Sequence, residues 1–330
     1  MYYCAKNKAN ELEMMKWDFI RLAYIYVALS GFSLLHLKGQ KRAYMVRHEK
    51  TIEIKPLDQL NSAFEEKNLS LTNNSSHLYF RSQRGGQIWT NTYQNEDGEL
   101  VNDGDIWVAK KLSGEWLAPE VLPYGVNSSG SEDEPFVLKN GRVIYFQSWN
   151  FFWETTQGPY YRIKRKGKKW KKANGLGGGI TDFFRDFSQT DGMTLSTEEK
   201  VFIVVAAEAA QENLDMYMSR KNTFGWNKPQ RLALSTEGEE RSVFLAHDGK
   251  SLYFASNGYE GLGGFDIYKT TLYQDGTTGQ VINIGPPINT SGDDYGFIIS
   301  KDGNEAYFIR EGDIYRAWLE NANPIIKPLQ

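Results

Sequence analysis

The feature that most constrains this chain is a repeat. Five segments each close a short strand pattern with an apolar or aromatic pair: HLYF (77–80), VIYF (143–146), VFIV (201–204), SLYF (251–254) and EAYF (305–308), at spacings of 66, 58, 50 and 54 residues. A strand opening on aspartate follows in most units, with DIW at Asp105–Trp107, DMY at Asp215–Tyr217, and DIY at both Asp266–Tyr268 and Asp313–Tyr315. Then come a hairpin and a strand typified by EWLAPEVL (115–122) and GWNKPQRL (225–232). Each unit reads as four short strands separated by Gly, Asn, Asp and Ser turns, with no amphipathic helix after residue 40. A repeated four-stranded unit of this period predicts an all-β fold, a single β-propeller of five four-stranded blades, with six blades the alternative.

Closure is also legible. The last unit stops after GDIYRAWL (312–319), one strand short, while TIEIKPLDQLNSAFEE (51–66) resembles the fourth-strand ending of other units, as in INIGPPINTSGDD (282–294). The N-terminal strand is therefore expected to complete the last blade and leave no open sheet edge. PIIKPLQ (324–330) is the competing candidate for that strand.

At the N-terminus, Lys16 and Arg21 precede an apolar stretch, Leu22 to Leu35. It has the length of a signal-peptide core and falls short of the roughly 20 residues of a membrane span. Residues 1–39 are expected to be a signal region or an uncleaved anchor, 40–50 a linker, 51–319 the propeller and 320–330 a C-terminal tail. Cys4 is the only cysteine, so a processed chain has no disulfide, thiol nucleophile or cysteine metal site. The net charge of −3 gives no general pull toward nucleic acid or anionic membrane.

SKDGNEAYF, AHDGKSLYF and GLGGFDIY resemble the WD40-like β-propeller repeat of the TolB type, over roughly residues 52–319. Blade two departs from it with PYY (159–161) where the aspartate strand belongs, and blade three with the apolar VFIVV. The resemblance implies a protein secreted across the inner membrane, in the periplasm or at the outer membrane. It implies envelope protein partners or peptidoglycan, no nucleic acid, and membrane contact only through an uncleaved N-terminal segment. A monomer is expected.

The recurring aspartates and aromatics, Asp105, Trp107, Asp215, Tyr217, Asp266, Tyr268, Asp313 and Tyr315, read as a structural blade motif. Asp and its aromatic share one strand face, and a buried aspartate needs the amides of flanking turns. The glycine-rich GLGGFDIY and GLGGGI (175–180) lack the lysine and Ser/Thr of a phosphate loop and are read as turns. Acidic turns place Glu66, Glu134, Asp186, Glu240 and Asp294 as a candidate axial ring. Three roles are open to that ring: turn capping, holding a cation such as Ca²⁺, or acid and base catalysis.

A candidate binding surface lies in blade two, where Trp149, Phe152 and Trp153 precede the basic run RIKRKGKKWKK with Arg162, Lys164, Arg165, Lys168 and Lys169. Exposed, the aromatics would stack on a sugar or a partner; buried, they fill a blade contact. His48, His77 and His247 read as surface turn residues. No catalytic motif, resident cofactor or metal set appears, and the resulting expectation is a non-enzymatic interaction scaffold. The alternative is a glycan-binding or glycan-cleaving propeller using Glu240, Asp294 and the aromatic loop.

Overall fold

The structure is a computed structural model that describes residues 40–85, 91–94, 98–209 and 213–329. The chain divides after Lys41, and the unit Arg42–Gln330 holds the propeller. The expected signal region lies outside the described residues. No described helix is long and apolar enough to cross a membrane.

Five small sheets form a ring, the arrangement of a five-bladed β-propeller. The inner strands are Glu66–Leu71, Asp133–Leu138, Phe187–Leu195, Glu240–Leu245 and Asp294–Ile299. The aromatic-pair segments form the second strands and the DIW or DIY segments the third, joined antiparallel. Blades stack face to face, so both faces of these strands are covered. Buried apolar residues accordingly gather in five clusters, one in each gap between adjacent blades.

The outer strands are fragmentary. EWLAPEVL pairs in two pieces, Glu115–Trp116 and Glu120–Val121, and GWNKPQRL in Gly225–Trp226 and Gln230–Arg231. Pro119 and Pro229 fall in the breaks, where a missing N–H costs no ladder bond. Closure follows the N-terminal route: Glu53–Pro56 pairs antiparallel with Asp313–Trp318, Glu53 opposite Trp318 and Pro56 opposite Tyr315.

Four expectations need correction. The 40–50 linker contains a strand, Tyr44–Met45, added parallel to Ile282–Asn283 so that it covers the edge of blade four. His48 is no free turn residue: its ring nitrogens meet the Ile284 carbonyl at 2.9 Å and the Asn323 N–H at 3.1 Å. The C-terminal PIIKPLQ is not a strand; Pro324–Ile326 makes one 3-10 turn. Its carbonyls accept from Tyr253 Oη and Lys269 Nζ of blade four. GLGGGI enters a helix, Gly178–Phe183, that the sequence conceals behind three glycines of poor helix propensity. Burial of Ile180, Thr181 and Phe183 between blades two and three holds it.

The blade aspartates have different partners: Asp215 is bound by Arg231 of the following strand, while Asp266 serves the turn before it. Asp266 is fully buried; its Oδ2 accepts from the Leu262 N–H and from Asn283 Nδ2. A Cβ on Gly261 would sit 2.1 Å from that oxygen, and one on Gly263 would sit 2.2 Å from the Gly292 carbonyl. The loop is glycine-rich because it folds onto its own aspartate and the adjacent loop. Replacing Asp266 with alanine strands those donors and should cost about 1–3 kcal/mol. A thermal melt identical to wild type would refute this assignment.

A second repeated device pins the middle residue of the D-I-Y-type segment in four of the five blades. Asn127 and Asn289 each bond both the N–H and the C=O of Ile106 and Ile267. Asn61 does the same for Ile314, and Ser235 Oγ accepts from the Met216 N–H. The pinning residue always comes from the loop that leads into the next blade, so each clamp ties two blades together.

Candidate active site

Each clamp residue is followed by a hydroxyl that caps a buried acid four residues on. Ser62 binds Glu66, Ser128 binds Glu132, Thr236 binds Glu240 and Thr290 binds Asp294, at 2.6–2.8 Å between side chains. The same acids take a second partner from the facing strand: Ser82, Ser148, Ser256 and Arg310 respectively. These carboxylates are fully engaged and point into their own blades. Burial raises Glu132 and Glu240 to about 7. This ring is architecture.

The structure thus redistributes the predicted axial ring. Glu66, Glu240 and Asp294 occupy the capped positions. In blade two the capped acid is Glu132 and not Glu134, because the four-residue spacing from Ser128 selects it from the EDE run. Asp186 is exposed and pairs loosely with Lys228 at 3.7 Å. Thr190 takes the ring position in blade three, where helix Gly178–Phe183 has displaced the usual loop.

One residue further along, side chains alternate to the axis. This second ring reads Lys67, Asp133, Asp191, Arg241 and Tyr295, a different group in nearly every blade. Lys67 Nζ lies 3.7 Å from Asp133 Oδ2 and 3.9 Å from Asp191 Oδ1, so two carboxylates flank one ammonium. Arg81 approaches Asp133 at 3.8 Å, and Asn68 Nδ2 donates to Asp133 Oδ1 at 2.7 Å. Arg241 Nε binds Asp191, with its guanidinium 4.4 Å from the centre of the Tyr295 ring and 5.3 Å from that of Phe265. Tyr295 Oη donates to Glu65 at 2.7 Å.

Burial opposes charge on both Lys67 and Asp133, and their mutual attraction outweighs it. Lys67 is held above its ordinary range by Asp133 and Asp191, and Asp133 below its own by Lys67 and Arg81. Asp133 is thus a firm anion.

Beneath this mouth each inner strand carries a bulge with a residue at positive φ: Asn68, Glu134, Gly192, Ser242 and Gly296. Only blade two places a carboxyl there. Glu134 is buried and accepts from Tyr160 Oη at 2.6 Å. Burial, reinforced by the Asp133 charge, pushes it up to about 8. A neutral acid and an ionised one therefore stand side by side, the pattern expected of unequal catalytic carboxyls. Between the bulges the axis narrows to about 20 Å³, pinched by Leu69, Met193, Phe244 and Phe297. That is room for one water. Nothing larger than a water threads the ring at this level.

Searches of family models and of curated proteins return no match. Among solved structures, β-1,2-mannobiose phosphorylase from Listeria innocua is similar at TM-score 0.50 and 10% identity, covering 80% of this chain and 93% of that one. A gluconolactonase from Xanthomonas campestris aligns at TM-score 0.46 and 11% identity, covering 85% and 96%. A mannose phosphorylase from Leishmania mexicana aligns at 0.43 and 12%, covering 90% and 93%. The fold is a five-bladed propeller. Likeness at this identity shows the fold alone, and the TolB-type identity gains no support from it. The named propellers are enzymes, against the expectation of a non-enzymatic scaffold, which finds no support among them.

The aromatic loop divides in two. Trp149 and Trp153 pack edge to face at 5.2 Å, and Trp149 meets Phe184, so both belong to the contact between blades two and three. Phe152 is 63% exposed, beside Phe151 at 93%. Of the basic run, Arg162 is bound by Glu199 and Tyr145, and Arg165 lies over Trp170. Lys164, Lys168 and Lys169 are exposed. Among the described residues no three His, Cys, Asp or Glu side chains are placed to hold a metal ion.

Sequence reasoning missed Lys67, Asp191, Arg241 and Tyr295 as a group. The available signal was the residue directly after each capped acid, which varies while the acid recurs.

Proposed function

We propose that this protein is a saccharide-cleaving enzyme whose active centre is the axial mouth. The observation that carries the reading is the contrast between the rings: the capped acids repeat, as structural residues do, while the adjacent ring breaks the repeat with Asp133 and Asp191 around Lys67. The carboxylates named by the sequence alternative, Glu240 and Asp294, are consumed by their caps, so the chemistry passes to their neighbours.

In this reading Glu134 keeps its proton at neutral pH and supplies it to the leaving oxygen, across a space beneath the mouth large enough for one water. Asp133 stays ionised and, with Asp191, stabilises the positive charge that develops on the sugar ring as the glycosidic bond breaks and water, which releases a proton to solvent, or inorganic phosphate bonds to the anomeric carbon. Lys67, Arg81 and Arg241 orient the substrate's hydroxyls or an acidic substituent, and Phe265 offers an apolar wall. The names of the fold relatives, which include mannose phosphorylases, support a saccharide as substrate class. The apolar stretch behind Lys16 and Arg21 supports action outside the cytoplasm.

The test is turnover of aryl glycosides and disaccharides, with and without inorganic phosphate as acceptor. Asp191→Asn should reduce kcat at least about 100-fold, on the scale of losing one charge-stabilising group. Purified, folded protein that neither converts nor is thermally stabilised by any saccharide in the panel would end the proposal.

A further inference from the structure

The repeat places a tyrosine on the second strand opposite a cation on the third in three blades: Tyr145 with Arg162, Tyr253 with Lys269 and Tyr307 with Arg316. At each crevice the chain supplies an acceptor. Glu305 meets Arg316 and Lys111, the carbonyls of Ile325 and Lys327 meet Lys269, and Glu199 meets Arg162. In the first two the partners of each cation are supplied by the chain itself.

The crevice between blades two and three is different. It encloses about 250 Å³, and Lys164, Lys171 and Lys172 of blade two line it together with Lys221 of blade three. Glu199 is spent on Arg162, Lys139 and Tyr145. Among the described residues, none of the four lysines has a carboxylate within salt-bridge distance. All four are exposed. Four like charges lining one crevice from two blades, with Lys221 Nζ over the Trp226 ring, favour an anion between them. The chain as a whole is acidic, with a net charge of −3.

We propose that this crevice is an accessory site for an acidic saccharide, whose carboxylate or sulfate groups bridge the lysines of the two blades. The proposal rests on the saccharide-cleaving reading of the axis, which selects a saccharide among polyanions. Its use would be to retain an acidic chain on a protein whose overall charge repels one.

The experiment measures binding of a tetragalacturonate, a neutral tetrasaccharide and a short polyglutamate to wild type, to K164Q/K172Q/K221Q and to D191N, at several salt concentrations. Folding of each variant is followed by melting. The expected result is wild-type binding of tetragalacturonate that is at least tenfold tighter than in the triple variant and falls with salt. The neutral tetrasaccharide should show no such difference, and D191N should retain the binding. No binding to wild type, or equal binding by the folded triple variant, would overturn the proposal. Polyglutamate bound as tightly as the uronate would also overturn it, as the site would then not select saccharides. Binding lost in D191N but kept in the triple variant would assign the uronate to the axis instead. Failure of the axial reading alone would appear as absent turnover with crevice binding intact.

Discussion

Glu134→Gln should lower kcat on a cleavable glycoside by about 10²–10⁴-fold, the usual worth of a positioned general acid. The amide can still accept from Tyr160 Oη, so the variant should fold, yet it has no proton to give. The wild-type rate should also decline as pH rises through about 8, where Glu134 loses its proton. A lower limb should reflect Asp133, which its neighbouring cations hold below the ordinary carboxylate range once burial is overcome. The measurement is kcat and kcat/KM against pH for both proteins. A variant with wild-type rate and an unchanged upper limb would show that Glu134 is only a packed acid.

The second large effect is on stability. Burial raises Glu132 and Glu240 to about 7 and Glu134 to about 8, each from an unfolded value near 4.5. Between those limits the folded state binds more protons than the unfolded chain, so stability falls as pH rises. The contribution is complete below about pH 4.5 and is lost on passing through 7 to 8. Each pH unit of displacement is worth about 1.4 kcal/mol, so a loss on the order of 3 kcal/mol for each of the three groups is expected between about pH 5 and pH 8. Asp133, Glu199 and Glu305 act oppositely. Burial disfavours their charge, but their cationic and hydrogen-bonding partners prevail and hold them low, and their share of stability disappears in stronger acid. Thermal melts across this range should therefore peak at mildly acidic pH. A melting temperature that is flat or rising from pH 5 to pH 8 would contradict the burial of these acids.

The architecture was written at long range in the sequence because each blade must bury both faces against its neighbours. That demand leaves the same LYF and DIY pattern in successive units. The N-terminal closing strand was readable for the same reason: a blade one strand short needs its edge covered. What escaped was local and small. Tyr44–Met45 is a two-residue strand with no pattern to betray it, and Gly178–Phe183 forms against its own propensity because its buried side chains outweigh its two glycines. The site was misread by register. In EDE (132–134) three acids compete, and only the spacing from Ser128 separates the capped Glu132 from the axial Asp133 and the bulged Glu134. A shift of one residue turns a side chain from blade to axis, so naming Glu134, Glu240 and Asp294 together combined residues with different surroundings.

The seam has a mechanical consequence. The N-terminal segment crosses blade four at Tyr44–Met45 before it reaches blade five at Glu53–Pro56, and His48 joins it to the C-terminal turn between those points. A pull applied ahead of residue 40 would load the short parallel pairing first and then the imidazole. The strand that closes the ring would bear tension last, so the outer contacts act as a strain relief for the ring itself.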